Sequence, residues 1–155
     1  MSVAFRRDGD EEHLEPKFEL PIPAGPNFVT ARGLRLIDER IAELEALIAD
    51  STDPPNIASF QRDLRYWQTR QVTADLVPVP SGAKVEFGTE VHFTLNGIAR
   101  TLRIVGDDEA APSDGLISFN APLSRAMLGG QEGDLLPFGK AEDAIEILSV
   151  NVPEQ

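Results

Sequence analysis

RIVGDDEAAPSDGLISFNAPLSRAMLGGQEGD, residues 103–134, is the stretch whose reading decides the fold. Arg103-Ile104-Val105 ends one β-type run, and Leu116–Phe119 forms a second. Branched and aromatic residues bounded by Gly, Asp and Pro read as short strands. Pro122 sits where a helix can begin, because a first-turn residue has no use for its N–H. Leu123–Leu128 continues that helix, and Gly129-Gly130 stops it. Gly133-Asp134 then turns the chain into a strand at Leu135–Phe138. Taken alone, the stretch is a small α+β module.

Working outward, Val85–Thr94 places Val85, Phe87, Val91 and Phe93 among polar residues, a strand pattern. Asn96-Gly97 is a hairpin turn. Arg100–Val105 returns with Leu102 and Ile104 alternating, and Ala144–Val150 closes the sheet. Gly106-Asp107-Asp108-Glu109 leaves the sheet and reads as a solvated acidic loop, with cation or basic-partner binding as the second reading.

Before the sheet comes a different period. Thr30 is a good N-cap, and Leu34, Ile37, Ile41, Leu44 and Ile48 follow at steps of 3, 4, 3 and 4. Asp50-Ser51-Thr52-Asp53-Pro54-Pro55-Asn56 is expected to break this helix. A second seam follows at Ile57, Phe60, Leu64, Trp67, Gln71 and Ala74, ended by Pro78 and Pro80. Two seams joined by a short turn predict an antiparallel αα-hairpin of about 20 residues per helix, ~30 Å long. Trp67 falls on the seam and reads as core before it reads as a base-stacking platform. Residues 1–26 are polar, with Pro16, Pro21, Pro23 and Pro26. They predict an extended or disordered tail, which Phe5, Phe18 and Leu20 could pin to the body. The expected domains are therefore 1–26, 27–79 and 80–155.

Composition narrows the function. The chain has 155 residues and no cysteine, which excludes disulfides, thiolate metal sites and cysteine nucleophiles. It carries no run of 18 apolar residues, and its acidic start has no signal-peptide core. A soluble, cytoplasmic protein is the expectation. Net charge is −12, of which residues 80–155 hold −7. Such a chain should not bind duplex DNA by itself, since phosphate binding needs a basic footprint. His13 and His92 are the two histidines, and their separation argues against a zinc site. His92 lies between Val91 and Phe93, on the expected outer strand face.

Several ordered pieces share one resemblance. Val29-Thr30-Ala31-Arg32-Gly33-Leu34 is similar to the V-T-x-x-G-x start of the N-terminal helix of the bacterial Gre transcript-cleavage factors, the GreA/GreB family. Arg62–Trp67 and Ala74–Val77 resemble its returning helix and exit. Val85–Val91 resembles the first strand of its C-terminal domain. Arg103–Glu109 resembles R-I-V-G-x-D-E, and Ile117–Gly129 with Gly133-Asp134 resembles the family's I-S-x-[ND]-S-P-x-A-R-A-L helix and G-D turn.

The resemblance implies an α+β protein: an N-terminal antiparallel two-helix coiled coil, then an FKBP-like antiparallel β-sheet domain with one short helix. It implies a transcription elongation factor that docks on RNA polymerase at the rim of its secondary channel. Such a factor is no enzyme itself and meets nascent RNA only indirectly. The docking residues carried over are Asn120, Ala121, Pro122 and Arg125. Ala121 stands where the family pattern has Ser. Capping by Asn120 with a rigid Pro122 is the plainer reading of the same loop.

In the family, two acidic residues at the arm tip help hold a catalytic magnesium that belongs with the polymerase. Mg²⁺ takes oxygen ligands, often one or two protein carboxylates. Asp50 and Asp53 keep an i, i+3 spacing at this tip and are the candidate Mg²⁺ ligands, with ordinary turn chemistry as the other reading. No stably bound cofactor is implied. The family's tip motif, G-D-L-x-E-N-A-E-Y, is absent here, and its arm is longer by roughly ten residues per helix, about 15 Å. Two alternatives therefore stand beside transcript cleavage: a channel-rim regulator without cleavage, similar to the nucleoside diphosphate kinase regulator, and an FKBP-like prolyl isomerase or chaperone. Arg32, Arg35, Arg40, Arg62, Arg65 and Arg70 of the arm read either as ion-pair partners of nearby carboxylates or as contacts to RNA and channel walls.

Overall fold

The computed structural model describes residues 19–155; the readings of Phe5, His13 and Phe18 fall outside the described residues. The chain divides into two compact units. Among the described residues, one holds Ile37–Thr73 with residues 19–25, and the other holds Pro26–Leu36 with Ala74–Gln155. No helix among the described residues is long and apolar enough to cross a membrane.

The chain's two long helices are α1 (Ala31–Asp50) and α2 (Pro54–Thr73), each of 20 residues; the helical unit holds α1 from Ile37 onward and all of α2. The α1 seam behaves as its period requires, with Ile37, Ile41 and Leu44 buried. Ile57, Phe60, Leu64 and Trp67 of α2 are half-buried, since a two-helix layer leaves one side of each helix to solvent. A hydrogen bond from Gln71 Nε2 to Asp38 Oδ1 (2.8 Å) ties the end of α2 to the early part of α1, as an antiparallel hairpin demands.

Two boundaries differ from the expectation. Pro54 and Pro55 open α2 rather than lying in the break. The first helical turn has no partner for its N–H groups, so the ring that would break a helix interior is tolerated there. At the other end α2 stops at Thr73. Asp75–Leu76, read as helix exit, is a short strand β2, paired in parallel with β1 (Phe28–Val29). The Asp75 N–H donates to the Asn27 carbonyl (2.8 Å) and the Val77 N–H to the Val29 carbonyl (3.0 Å).

The second unit is a five-stranded sheet of order β5-β4-β3-β7-β6. Its strands are β3 (Glu90–Leu95), β4 (Ile98–Val105), β5 (Leu116–Ser118), β6 (Leu135–Phe138) and β7 (Ala141–Asn151). Asn96 (φ 51°) and Gly97 (φ 86°) make the β3–β4 turn, both in the left-handed region that a two-residue hairpin needs. The sheet is mixed rather than wholly antiparallel, because β5 runs parallel to β4. Residues 106–115 supply the crossover that a parallel pair requires. Val85 and Phe87 lie outside the strand drawn for them: the chain turns at Gly88 (φ 91°) before β3 begins. Val85 is still buried, and its backbone bonds Gly129 and Gly130.

Val91, Phe93, Ile104, Ile145 and Ile147 face inward and pack with Val85 and with Met127 of α3 (Pro122–Met127). The opposite face is polar, and His92 lies on it, its Nδ1 2.8 Å from Thr101 Oγ1. Gly106 is the most tightly enclosed glycine of the unit, because a Cβ there would run into the Phe28 carbonyl. Gly106→Ala is expected to cost about 2–3 kcal/mol, read as a lower urea midpoint at unchanged slope.

Candidate functional site

The loop into α3 is organised from behind by Asp107. Ser118 Oγ donates to Asp107 Oδ1 (2.5 Å), and Asn120 Nδ2 lies 3.4 Å from each Asp107 carboxylate oxygen. The Asn120 N–H donates to Ser118 Oγ (3.1 Å), and Ser124 Oγ donates to the Ser118 carbonyl (2.7 Å). The Ala121 N–H closes a turn on the same carbonyl (3.0 Å). Asn120 therefore anchors the loop to Asp107 and does not cap the helix. Ala121 is the N-cap, in extended backbone (φ −66°, ψ 147°) and without a side-chain cap bond.

This lattice presents an outward ridge. Pro122, Arg125 and Leu128 are exposed, three residues apart on one side of α3 and its end. Ala121 is half-buried beside them, and Ser124 and Met127 point into the core. Arg125 forms no ion pair among the described residues, so its guanidinium is available to an acceptor on another molecule.

Glu109, read as part of a solvated loop, is buried. Its Oε1 accepts from Thr30 Oγ1 (2.6 Å) and its Oε2 from Arg32 Nη1 (2.9 Å). Thr30 in turn accepts the Gly33 N–H (3.0 Å), so it caps α1 as its position promised. Gly33 has no room for more: a Cβ would stand 2.9 Å from Glu109 Oε1. The start of α1 is thus buckled to the turn after β4. Residues 79 apart make this contact, which no local pattern in the sequence signals.

The other candidate residues lie at the hairpin tip. Asp50 is the last residue of α1, and Asp53 immediately precedes α2, its carbonyl accepting the Ile57 N–H (3.0 Å). Both side chains are exposed. The Asp53 N–H bonds Ser51 Oγ (3.3 Å), which is ordinary turn chemistry. Among the described residues no three His, Cys, Asp or Glu come together as a cation site. Two exposed carboxylates supply only part of a Mg²⁺ oxygen shell, so the pair does not fit a metal site complete in itself. Most of the arm arginines are engaged. Arg32 holds Glu109, Arg40 holds Glu43, Arg62 holds Asp63, and Arg65 holds Glu19. Arg70 is buried and Arg35 exposed.

The geometry defines a helical hairpin coupled in sequence to a sheet unit that presents an exposed, partly apolar ridge at α3. Residues 80–151 match the family described as "Transcription elongation factor, GreA/GreB, C-term". That segment, just under half of the chain, is similar to a GreA/GreB C-terminal domain.

Among similar proteins, transcription elongation factor GreA of Desulfovibrio desulfuricans is 40% identical over 75 residues, 46% of each chain. GreA of Pseudomonas putida is 34% identical over 93 residues, 59% of this chain and 58% of that one. The chain spans about half the length of the curated relatives it matches. Among solved structures, GreA factor homolog 1 of Thermus thermophilus has 17% identity and a TM-score of 0.39, over 82% of this chain and 99% of that one. GreA/GreB of Nitrosomonas europaea has 19% and 0.39, over 83% and 99%.

Two stability outcomes follow from these contacts. Glu109→Ala strips a buried acceptor from two donors and is expected to cost about 2–3 kcal/mol; Glu109→Gln keeps one acceptor and should cost about 1 kcal/mol. Ala121→Ser supplies the missing cap and is expected to raise stability by about 1 kcal/mol. Denaturant melts of the three variants check both.

Proposed function

We propose that this protein is a transcription elongation factor of the GreA/GreB type, binding RNA polymerase at its secondary channel and regulating elongation. It is an accessory factor in the cytoplasm, and the chemistry is the polymerase's. The observation that carries the reading is the α3 entrance. Pro122 and Arg125 stand exposed on a loop held rigid by Asp107, Ser118 and Asn120, inside the segment that matches the family. A preorganised ridge with one unpaired guanidinium loses little freedom on docking. Asn120 and Ala121 shape the ridge, while Pro122 and Arg125 make the contact. Nascent RNA is met only within the polymerase, and the net charge of −12 disfavours duplex DNA as a partner in its own right.

Transcript cleavage is the sharper form of this proposal. Its residues are Asp50 and Asp53, in a distal hairpin with no Lys or Arg from Ile41 to Gln61. Such a tip offers carboxylates that local cations do not neutralise, as a partial ligand set for a Mg²⁺ shared with the polymerase. The isomerase alternative is not favoured. Phe93 is fully buried, while Phe28, Phe87 and Phe119 pack on one another with centroids 5.1–6.0 Å apart rather than lining a proline pocket.

The test uses a backtracked elongation complex with Mg²⁺. Arg125→Glu is expected to weaken polymerase binding at least tenfold, the scale of a lost charge-assisted contact. Release of short 3′ RNA that vanishes in Asp50→Ala/Asp53→Ala supports cleavage. Binding without release leaves an elongation regulator, and no binding at micromolar concentration ends the proposal.

A further inference from the structure

We propose that the outer face of α2 is a recognition groove for an extended peptide that sets a carboxylate just ahead of branched apolar residues. Glu19–Ile22 of the chain occupies that groove in cis and gates it. This goes beyond polymerase docking and uses none of its residues.

The groove is about 560 Å³ and lies wholly within the helical unit. One wall is Arg65, Tyr66, Thr69 and Val72, a stripe at helical spacing beside the seam that faces α1. The chain's own Glu19, Leu20 and Ile22 form the other. Arg65 anchors one end. Its Nε and Nη2 donate to the two Glu19 oxygens at 2.7 Å each, the paired fork that selects a carboxylate. That hydrogen bond also holds the Glu19 carboxyl below the ordinary carboxylate range.

Beyond the clamp, recognition is apolar and incomplete. Val72 is 82% exposed, so the cis segment leaves that end of the stripe uncovered, and Ile22 on the cis wall is itself 46% exposed. Pro21 and Pro23 flank Ile22. Proline fixes the backbone in advance, which lowers the ordering cost of an extended ligand. Both clamp partners stand in water, where ion pairs are weak and exchangeable. A partner segment of the same chemistry can therefore displace the cis copy.

Trp67, the single tryptophan, reports on the groove, because its ring meets that of Tyr66 at 5.1 Å and 85°. The probe is an acetylated peptide of residues 19–25, ELPIPAG, added to the full chain. Glu19→Lys removes the cis anchor, and that variant should bind the peptide about tenfold or more tighter than the unsubstituted chain. Trp67 emission should change, and amide NMR shifts should fall within residues 65–73. Val72→Asp, at an exposed position, should abolish binding in the Glu19→Lys chain. The reversed peptide KLPIPAG should bind Arg65→Glu and not the Glu19→Lys chain. Equal affinity of ELPIPAG for both chains, shifts outside α2, or no binding to Glu19→Lys up to about 1 mM overturns the proposal. So does a Glu19→Lys dimer that the peptide fails to dissociate, since the face would then be a self-association surface.

Discussion

Glu109 is the residue on which the sheet unit's architecture turns. A carboxylate buried in protein is costly unless its oxygens are satisfied. Here Thr30 and Arg32 satisfy them from the first turn of α1. The cap, the salt bridge and the closeness of Gly33 form one contact set. Losing the carboxylate would leave the buried Thr30 hydroxyl without its acceptor, while Arg32, 41% exposed, would turn to water. Gly106, three residues before Glu109, completes the arrangement by letting the Phe28 carbonyl come close. Small residues at 33 and 106 and a carboxylate at 109 thus answer one geometric demand.

The same short turn serves the exposed ridge at α3. Asp107 reaches the other way, to Ser118 and Asn120, and fixes the approach to α3. One acidic turn therefore holds both the root of α1 and the loop ahead of Pro122. That gives the acidity of the sheet unit a structural share. It also explains how α3 is held although Ala121 gives it no side-chain cap: Ser124 Oγ bonds back to the Ser118 carbonyl and Met127 seals the underside.

Much of this was legible along the chain. The 3–4 spacing from Leu34 to Ile48 marked the buried stripe of α1, Thr30 marked its cap, and Asn96-Gly97 marked the β3–β4 turn. Other local signals were misread because a residue's meaning depends on where an element starts. Pro54 and Pro55 looked like a break and are a first turn. Val85 and Phe87 alternate as a strand would, yet they pack from a bend at Gly88. The parallel partner of β4 was hidden because a three-residue strand carries no sign of its direction. At the candidate site, Pro122 and Arg125 could be singled out by motif, whereas the anchoring of Asn120 by Asp107 could not.

By itself, the sequence determined the elements whose causes are local: helix seams, caps, a two-residue hairpin turn and a proline-opened helix. These depend on neighbours within about four residues, and the chain always brings those neighbours together. Only the tertiary structure decided what the polar side chains do. Glu109 and Asp107 sit in a run of charges that reads as a solvated loop, and Arg65 in one that reads as pairing with nearby carboxylates. Each takes its role from a residue 11 to 79 positions away, Thr30 for Glu109, Ser118 for Asp107 and Glu19 for Arg65. Burial and partner choice depend on which distant segments the fold sets side by side, and no window of sequence contains that information.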